Sequence, residues 1–311
     1  MITFLQGNCL DKIQELDDNS IDCVVSSPPY FGLRDYGVDG QFGLEKTYQD
    51  YIANTVKVFE TFKPKLKDTA TIWWNVGDTY AMSSMRGKNS LFRSIDQSKS
   101  GIRNVKRSIP IGLKAKDLMM IPSRVAIALQ DAGWYIRSEI IWHKPNPMPE
   151  SVKDRPTSAH EKIWLITKSK KYYYDADAIR EPVKEISKKR IEYGLKHKHP
   201  DNIGVAIPPV NTKRMGERFL NPLGKNKRNV WTITTKPCKE AHFATFPKDL
   251  IEPCIKAGCP EGGTVLDPFG GSGTTGIVSK LLKRKAILIE LNKEYISIAK
   301  KRINKEFGLF K

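Results

Sequence analysis

The sequence predicts an α/β fold, a mostly parallel sheet with helices on both faces, and three observations carry that prediction. Short apolar runs rich in β-branched residues alternate with longer stretches of helical periodicity, the pattern of strands buried on both faces. A glycine-rich turn, Gly270-Gly271-Ser272-Gly273, joins one such run to a helix near the C-terminus. Only about 35 residues follow Gly276 at the end of this motif. A dinucleotide-type sheet needs several more strands beyond its glycine turn. Those strands must come from the N-terminal part of the chain, so the sheet is assembled out of its usual order.

Taken in order, Ile21-Asp22-Cys23-Val24-Val25-Ser26 reads as a buried strand stopped by Pro28 and Pro29. Tyr48 to Phe62 follows as a helix, with Tyr51, Ile52, Thr55, Val58, Phe59 and Phe62 at helical spacing. Thr71 to Val76 is a strand, and Ile121 to Ala132 a helix ending at Gly133. Tyr135 to Trp142 and Lys162 to Thr167 read as strands around a loop containing Pro145, Pro147 and Pro149. Pro247 to Ala257 is a helix with Gly258 as its stop. Thr264 to Leu266 is a strand, Thr274 to Leu282 a helix and Ala286 to Ile289 a strand. A last helix begins at the N-cap Asn292 and runs to about Phe307. Between these elements two basic stretches, 85–116 and roughly 170–229, lose apolar periodicity and read as insertions. The expected organisation is a first part of one domain at 1–170, a separate basic region at 171–229 and the rest of the first domain at 230–311.

Charge narrows the partners. Lys and Arg number 52 against 34 Asp and Glu, a net charge of +18. Such an excess suits a polyanion, because each neutralised phosphate releases counterions. A solvated lysine-rich surface is the plainer explanation, and charge alone leaves both open. Mean hydropathy is negative, and no apolar run reaches the ~20 residues that span a bilayer. Met1-Ile2-Thr3-Phe4-Leu5 has no signal-peptide pattern. No membrane association and a cytoplasmic location are expected. The five cysteines, Cys9, Cys23, Cys238, Cys254 and Cys259, form no even disulfide framework and lack zinc-cluster spacing, so no metal is expected.

Two motifs carry chemistry. The first is Asp267-Pro268-Phe269-Gly270-Gly271-Ser272-Gly273-Thr274. Its glycines allow positive φ and close ligand approach, and the helix start offers N–H donors. Glu290 ends the next strand, where a carboxylate can accept both hydroxyls of a ribose. Gly271, Gly273 and Gly276 also satisfy G-x-G-x-x-G, so a nicotinamide-dependent oxidoreductase is one reading and a bare tight turn another. The second motif is Ser27-Pro28-Pro29-Tyr30, at the strand edge where open α/β sheets place their ligands. The prolines are expected to leave nearby carbonyls outward and unpaired. The Ser27 hydroxyl and a proline carbonyl then offer two acceptors to an –NH₂ group, with the Tyr30 ring stacking on the base behind it. A proline-terminated strand with an aromatic plug would look the same in isolation.

Together the motifs resemble those of the amino-group DNA methyltransferases, which make N4-methylcytosine or N6-methyladenine. Ser27 to Tyr30 matches their catalytic tetrapeptide, and Asp267 to Gly273 is similar to their cofactor loop. The tetrapeptide comes first, with basic sequence between, as in the permuted beta class. Gly7-Asn8-Cys9-Leu10-Asp11 resembles the segment near the cofactor's adenine, although the family often has Asp where Asn8 stands. His242-Phe243-Ala244-Thr245-Phe246-Pro247 resembles the segment over the methionine end, and Ile289-Glu290-Leu291-Asn292 the ribose-binding strand end.

The resemblance implies a circularly permuted, Rossmann-like S-adenosylmethionine-dependent methyltransferase fold and S-adenosyl-L-methionine as cofactor. It implies cofactor contacts from Asn8, Asp11, Phe246, Asp267, Pro268, Phe269, Gly270, Gly271, Ser272, Gly273, Thr274, Glu290 and Asn292. It makes 171–229 the target-recognition region, with Lys188, Lys189, Arg190, Lys213, Arg214, Arg218 and Arg228 as phosphate or base contacts. The implied partner is double-stranded DNA, with a separate restriction endonuclease and a homodimer compatible with the family. Ser27 at the first motif position leans towards N4 of cytosine, with N6 of adenine as the alternative. Carbon-5 methylation needs a Pro-Cys nucleophile, and Pro237-Cys238 lies outside any such context. A DNA-binding module without catalysis remains a reading of another class.

Overall fold

The computed structural model describes residues 1–33, 35, 37–81, 109, 112–183, 185–186, 189, 221, 223–235 and 246–308. The chain forms two compact units, one of residues 1–174 and 229–311 and the other of residues 175–228. The first contains the sheet. Its strands are β1 (Ile2–Gln6), β2 (Ile21–Ser26), β3 (Leu66–Val76), β4 (Tyr135–His143), β5 (His160–Thr167), β6 (Val230–Thr232), β7 (Thr264–Asp267) and β8 (Lys285–Glu290). Among the described residues they form one eight-stranded sheet in the order β1-β8-β7-β2-β3-β5-β4-β6. Only β5 runs against its neighbours β3 and β4; all other pairs are parallel.

The out-of-order assembly expected from the glycine turn is present. β1 pairs with β8, Ile2 opposite Ala286 through Gln6 opposite Glu290, so the first strand lies beside the last. β7 pairs with β2 through Cys23 opposite Val265 and Val24 opposite Leu266. Chain direction from this pair runs outwards both ways, β7 to β8 on one side and β2 to β3 on the other. That makes the β7–β2 boundary the switch point, where open sheets leave a crevice at the carboxyl ends of their strands.

The helices are α1 (Cys9–Gln14), α2 (Tyr48–Phe62), α3 (Ile121–Asp131), α4 (Lys248–Gly258), α5 (Thr274–Leu281) and α6 (Lys293–Phe307). Strand alternation sorts them into two layers. Val24, Ile72 and Trp74 join the buried cluster built with Ile13, Tyr51, Phe59, Phe62 and Leu129 of α1, α2 and α3. Cys23, Thr71 and Trp73 face the other way, towards Gly258 of α4. The short β1, α1 and β6 were not expected from sequence, since each has too few residues for a periodic pattern.

Gly258 corrects one expectation. It is the last residue of α4 rather than a stop beyond it, and Cys259 follows in extended conformation. A Cβ at Gly258 would stand 2.3 Å from Thr71 Oγ1 and 2.4 Å from Trp73 Nε1. Both residues are fully or almost fully buried. The glycine lets the helix end lie directly on β3. Gly258→Ala gains up to ~1 kcal/mol of helix propensity, but overpacking a closed core typically costs ~1–3 kcal/mol. A net loss in denaturant midpoint is expected; an unchanged or raised midpoint would contradict the packing role.

The second unit contains a single-turn helix at Asp177–Ile179 and an antiparallel bridge between Glu181 and Lys225. Arg180 Nη1 donates to the Gly224 carbonyl at 3.1 Å, and Arg228 Nε to Glu181 Oε2 at 3.0 Å.

Candidate active site

The two motifs meet at the switch point through one hydrogen bond. Ser26, the last residue of β2, donates its hydroxyl to Asp267 Oδ1 at 2.6 Å, across 241 positions of sequence. Asp267 is the last residue of β7, and its other oxygen accepts the Thr275 hydroxyl at 2.6 Å. Phe269 N–H also donates to Oδ1, at 3.1 Å. Asp267 is 1% exposed. Burial pushes its carboxyl up from 3.8 to about 6, against the three hydrogen bonds that favour the charge. The carboxylate therefore clamps the end of the tetrapeptide strand to both ends of the glycine loop.

Ser27, Pro28, Pro29 and Tyr30 follow Ser26 directly. The expectation of unpaired proline carbonyls needs correction at Pro29, whose carbonyl accepts the Tyr51 hydroxyl of α2 at 3.2 Å. No described residue donates to the Pro28 carbonyl. Tyr30 is held at its hydroxyl. Ser27 Oγ donates to Tyr30 Oη at 3.2 Å, while Glu161 Oε2 and Asn75 Oδ1 lie 2.7 and 3.0 Å from that oxygen. Burial, then the Glu161 charge, push the phenol well above its ordinary range, so it keeps its proton. Gly77, just beyond β3, makes room for the ring: a Cβ there would stand 2.4 Å from Tyr30 Cε2.

The glycine loop is shaped by backbone that suits glycine, with φ of +48° at Gly271 and +78° at Gly273, the residue that starts α5. A Cβ at Gly271 would meet only the Phe269 carbonyl at 3.8 Å, so that side of the turn is open. Glu290 at the end of β8 steadies the loop, its Oε2 accepting Gly271 N–H and its Oε1 accepting Asn292 N–H, both at 2.8 Å. Burial raises its carboxyl. Ser272 and Thr274 are gripped from α6 by Arg302 Nη1, 2.5 Å from the Ser272 carbonyl and hydroxyl and 3.2 Å from Thr274 Oγ1. Phe269 packs against Phe42 at 5.2 Å and Trp74 at 6.0 Å between ring centres. Pro268 lies within the same turn.

Asn8 is the N-cap of α1, its side chain accepting Leu10 N–H at 2.9 Å. Asp11 is exposed in the first turn of that helix, and Gly7 N–H bonds the Glu290 carbonyl at 3.0 Å. This brings the Asn8 segment to the end of β8. Asn292 caps α6, and Phe246 precedes Pro247, the residue before α4. Residues 242–245 lie outside the described residues, as do Lys188, Arg190, Lys213, Arg214 and Arg218. Lys189 is helical and exposed, and Arg228 is paired with Glu181. Sequence reasoning missed Ser26, Phe42, Tyr51, Asn75, Gly77, Glu161 and Arg302. No local pattern marks them, because each acts on a motif distant in sequence.

A sheet in this order, with an acidic glycine loop ending β7 and a Ser-Pro-Pro-Tyr turn ending β2, defines a Rossmann-like methyltransferase. The family model for DNA methylases of the N6/N4 type matches residues 21–301, and the chain belongs to that family. It is a DNA amino-methyltransferase. The Type II methyltransferase M.SmaI of Serratia marcescens is 43% identical over 297 residues, covering 96% of this chain and 89% of the relative. M.Cfr9I of Citrobacter freundii is also 43% identical, over 98% of this chain and 88% of its own. Among solved structures, the PvuII DNA methyltransferase (cytosine-N4-specific) superposes with a TM-score of 0.61 at 18% identity, covering 99% of this chain and 91% of that one. A DNA modification methylase of Thermus thermophilus, solved with S-adenosyl-L-methionine, gives 0.59 at 20% identity, covering 100% and 98%. Among the described residues no helix is long and apolar enough to cross a membrane.

Proposed function

We propose that this chain methylates N4 of cytosine in double-stranded DNA, with S-adenosyl-L-methionine as donor and the target base turned out of the duplex. The observation that carries the reading is the Ser26–Asp267 hydrogen bond, which puts an amino-gripping turn and a glycine loop side by side on one sheet edge.

The residues present fit the cofactor. Glu290 uses one lone pair on each oxygen for Gly271 and Asn292, leaving others for a pair of ribose hydroxyls. Gly271 leaves the loop open on one side, and Asp267, Pro268, Phe269, Gly270, Ser272, Gly273 and Thr274 complete that turn. Asn8, Asp11, Phe246 and Asn292 are assigned to the cofactor from the family segments they resemble, Asn8 through its backbone because its side chain caps α1. When bound, the cofactor supplies an electrophilic methyl group on sulfonium sulfur.

The chain's own residues prepare the nucleophile. An exocyclic amino nitrogen is weak because its lone pair is delocalised into the ring. Hydrogen bonds from the –NH₂ to Ser27 Oγ and the Pro28 carbonyl favour a more tetrahedral nitrogen, so positioning and electrostatics provide the catalysis. Pro29 is a brace, fixed through Tyr51. Tyr30 stacking on the extruded base offsets part of the few kcal/mol of unstacking, at ~1–3 kcal/mol per base. Residues 175–228 are assigned to target recognition, with Lys188, Lys189, Arg190, Lys213, Arg214, Arg218 and Arg228 as the DNA contacts. Ser27 at the first position of the tetrapeptide, which in this family leans towards cytosine where Asp or Asn leans towards adenine, supports cytosine.

The test incubates the protein with labelled S-adenosylmethionine and unmethylated DNA and analyses the nucleosides by mass spectrometry. N4-methylcytosine is expected. N6-methyladenine would overturn the choice of base, and no product or 5-methylcytosine would overturn the mechanism. Tyr30→Ala is expected to lose at least tenfold in turnover with cofactor affinity within twofold; equal losses would make the ring structural.

A further inference from the structure

We propose that Glu161 is a positioning residue that sets the direction of the Ser27 hydrogen bond, acting through the Tyr30 hydroxyl. The inference rests on the proposed grip of an amino group by Ser27.

Donors and acceptors around Tyr30 Oη can be counted. The phenol has one proton and three neighbours: Ser27 Oγ at 3.2 Å, Asn75 Oδ1 at 3.0 Å and Glu161 Oε2 at 2.7 Å. A carboxylate only accepts. Asn75 presents its oxygen because its amide nitrogen donates to the Lys162 carbonyl at 3.1 Å. Both far-side neighbours are therefore acceptors, and Glu161 is the nearer and the charged one. Its other oxygen is paired with Lys144, whose ammonium also lies 4.4 Å from the Trp142 ring centre. The Tyr30 proton is drawn to Glu161, so its oxygen is left to accept.

The remaining partner, Ser27, must then donate to Tyr30. A serine hydroxyl whose proton is committed offers only lone pairs elsewhere. The direction runs Ser27 to Tyr30 to Glu161, and the open end of that chain is an acceptor. An amino group has protons to give, so this polarity suits it. A serine free to rotate could aim its own proton at the substrate nitrogen and tie up the lone pair that must attack. Chains of hydrogen bonds reinforce each member in a partly buried site. Glu161 stands 131 positions from Tyr30 in sequence, at the second residue of the antiparallel strand β5.

The test is a double-mutant cycle read by single-turnover methylation at saturating cofactor and DNA. Tyr30→Phe keeps the ring and is expected to slow methyl transfer at least fivefold. Glu161→Ala is expected to slow it about threefold or more in the parent protein. In the Tyr30→Phe background Glu161→Ala should add less than twofold, because the relay is already cut. Cofactor affinity and thermal midpoint are measured for every variant. A multiplicative effect of the two substitutions, no effect of Glu161→Ala, or a rate loss that tracks cofactor affinity or midpoint would each overturn the proposal. If the parent protein transfers no methyl group to DNA amino nitrogen, the underlying reading fails instead, and the two failures are separate.

Discussion

Gly77→Ala is expected to slow methyl transfer about a hundredfold while leaving cofactor affinity within twofold. The added Cβ would stand 2.4 Å from Tyr30 Cε2 and 2.7 Å from Cδ2, closer than carbon atoms approach. The ring has little freedom to yield, since its hydroxyl is held by Glu161 and Asn75. Either the ring tilts or the end of β3 moves. A displacement of ~1 Å in a positioned site is enough to cost about a hundredfold in rate. The glycine loop lies on β7 and not on β3, so cofactor binding is spared. Single-turnover kinetics and equilibrium cofactor binding on the same preparation check both halves. A variant with the parent's rate would show that Tyr30 tolerates a shifted ring.

The second large effect falls at Asp267, where two substitutions are expected to part company. Its carboxyl sits at about 6 against 3.8 ordinarily, because burial penalises the charge. The native state thus binds this proton more tightly than the unfolded chain does. Stability from this group is greatest below 3.8, declines as pH rises towards 6 and is flat above, the opposite of a salt-bridged carboxylate. Ionisation in the folded protein costs on the order of 3 kcal/mol at neutral pH, the net of burial against the three donors that favour the charge. Asp267→Asn removes the cost while an amide oxygen still accepts from Ser26 and Phe269. Its stability relative to the parent should rise between about pH 4 and 6 and stay level above. Asp267→Ala instead strands two buried hydroxyl donors and one half-buried N–H, at ~1–3 kcal/mol for each buried one. It should unfold at markedly lower denaturant and bind cofactor poorly. Denaturant titrations across pH on all three proteins decide this, and parallel curves for parent and Asn variant would sink the assignment.

Much of the scaffold was legible because it is written locally. The Tyr48–Phe62 helix keeps Tyr51, Thr55, Val58, Phe59 and Phe62 on one buried face, so its period is in the sequence. The β2 run is buried throughout, and its apolar centre, Cys23, Val24 and Val25, reads as a buried strand. Gly258 shows where such reading stops. A glycine after a periodic run ordinarily ends a helix, but here the demand for a small residue comes from Thr71 and Trp73 on another element. Asn8 shows the same limit at the cleft, since its side chain caps α1.

The Ser-Pro-Pro-Tyr turn divides along the same line. The sequence by itself marked a proline-ended strand and a distant glycine loop, with the strand ahead of the loop as in a permuted sheet. Only the tertiary structure decided which side chains make the turn work. Ser26 joins it to Asp267, Tyr51 braces Pro29, Gly77 admits the Tyr30 ring and Glu161 accepts the hydrogen bond of the Tyr30 hydroxyl. Backbone demands such as a strand stop or a positive φ are met by the residue itself and leave a local mark. Hydrogen-bond direction and ring placement depend on neighbours from β3, β5 and α2, which are adjacent only once the chain has folded.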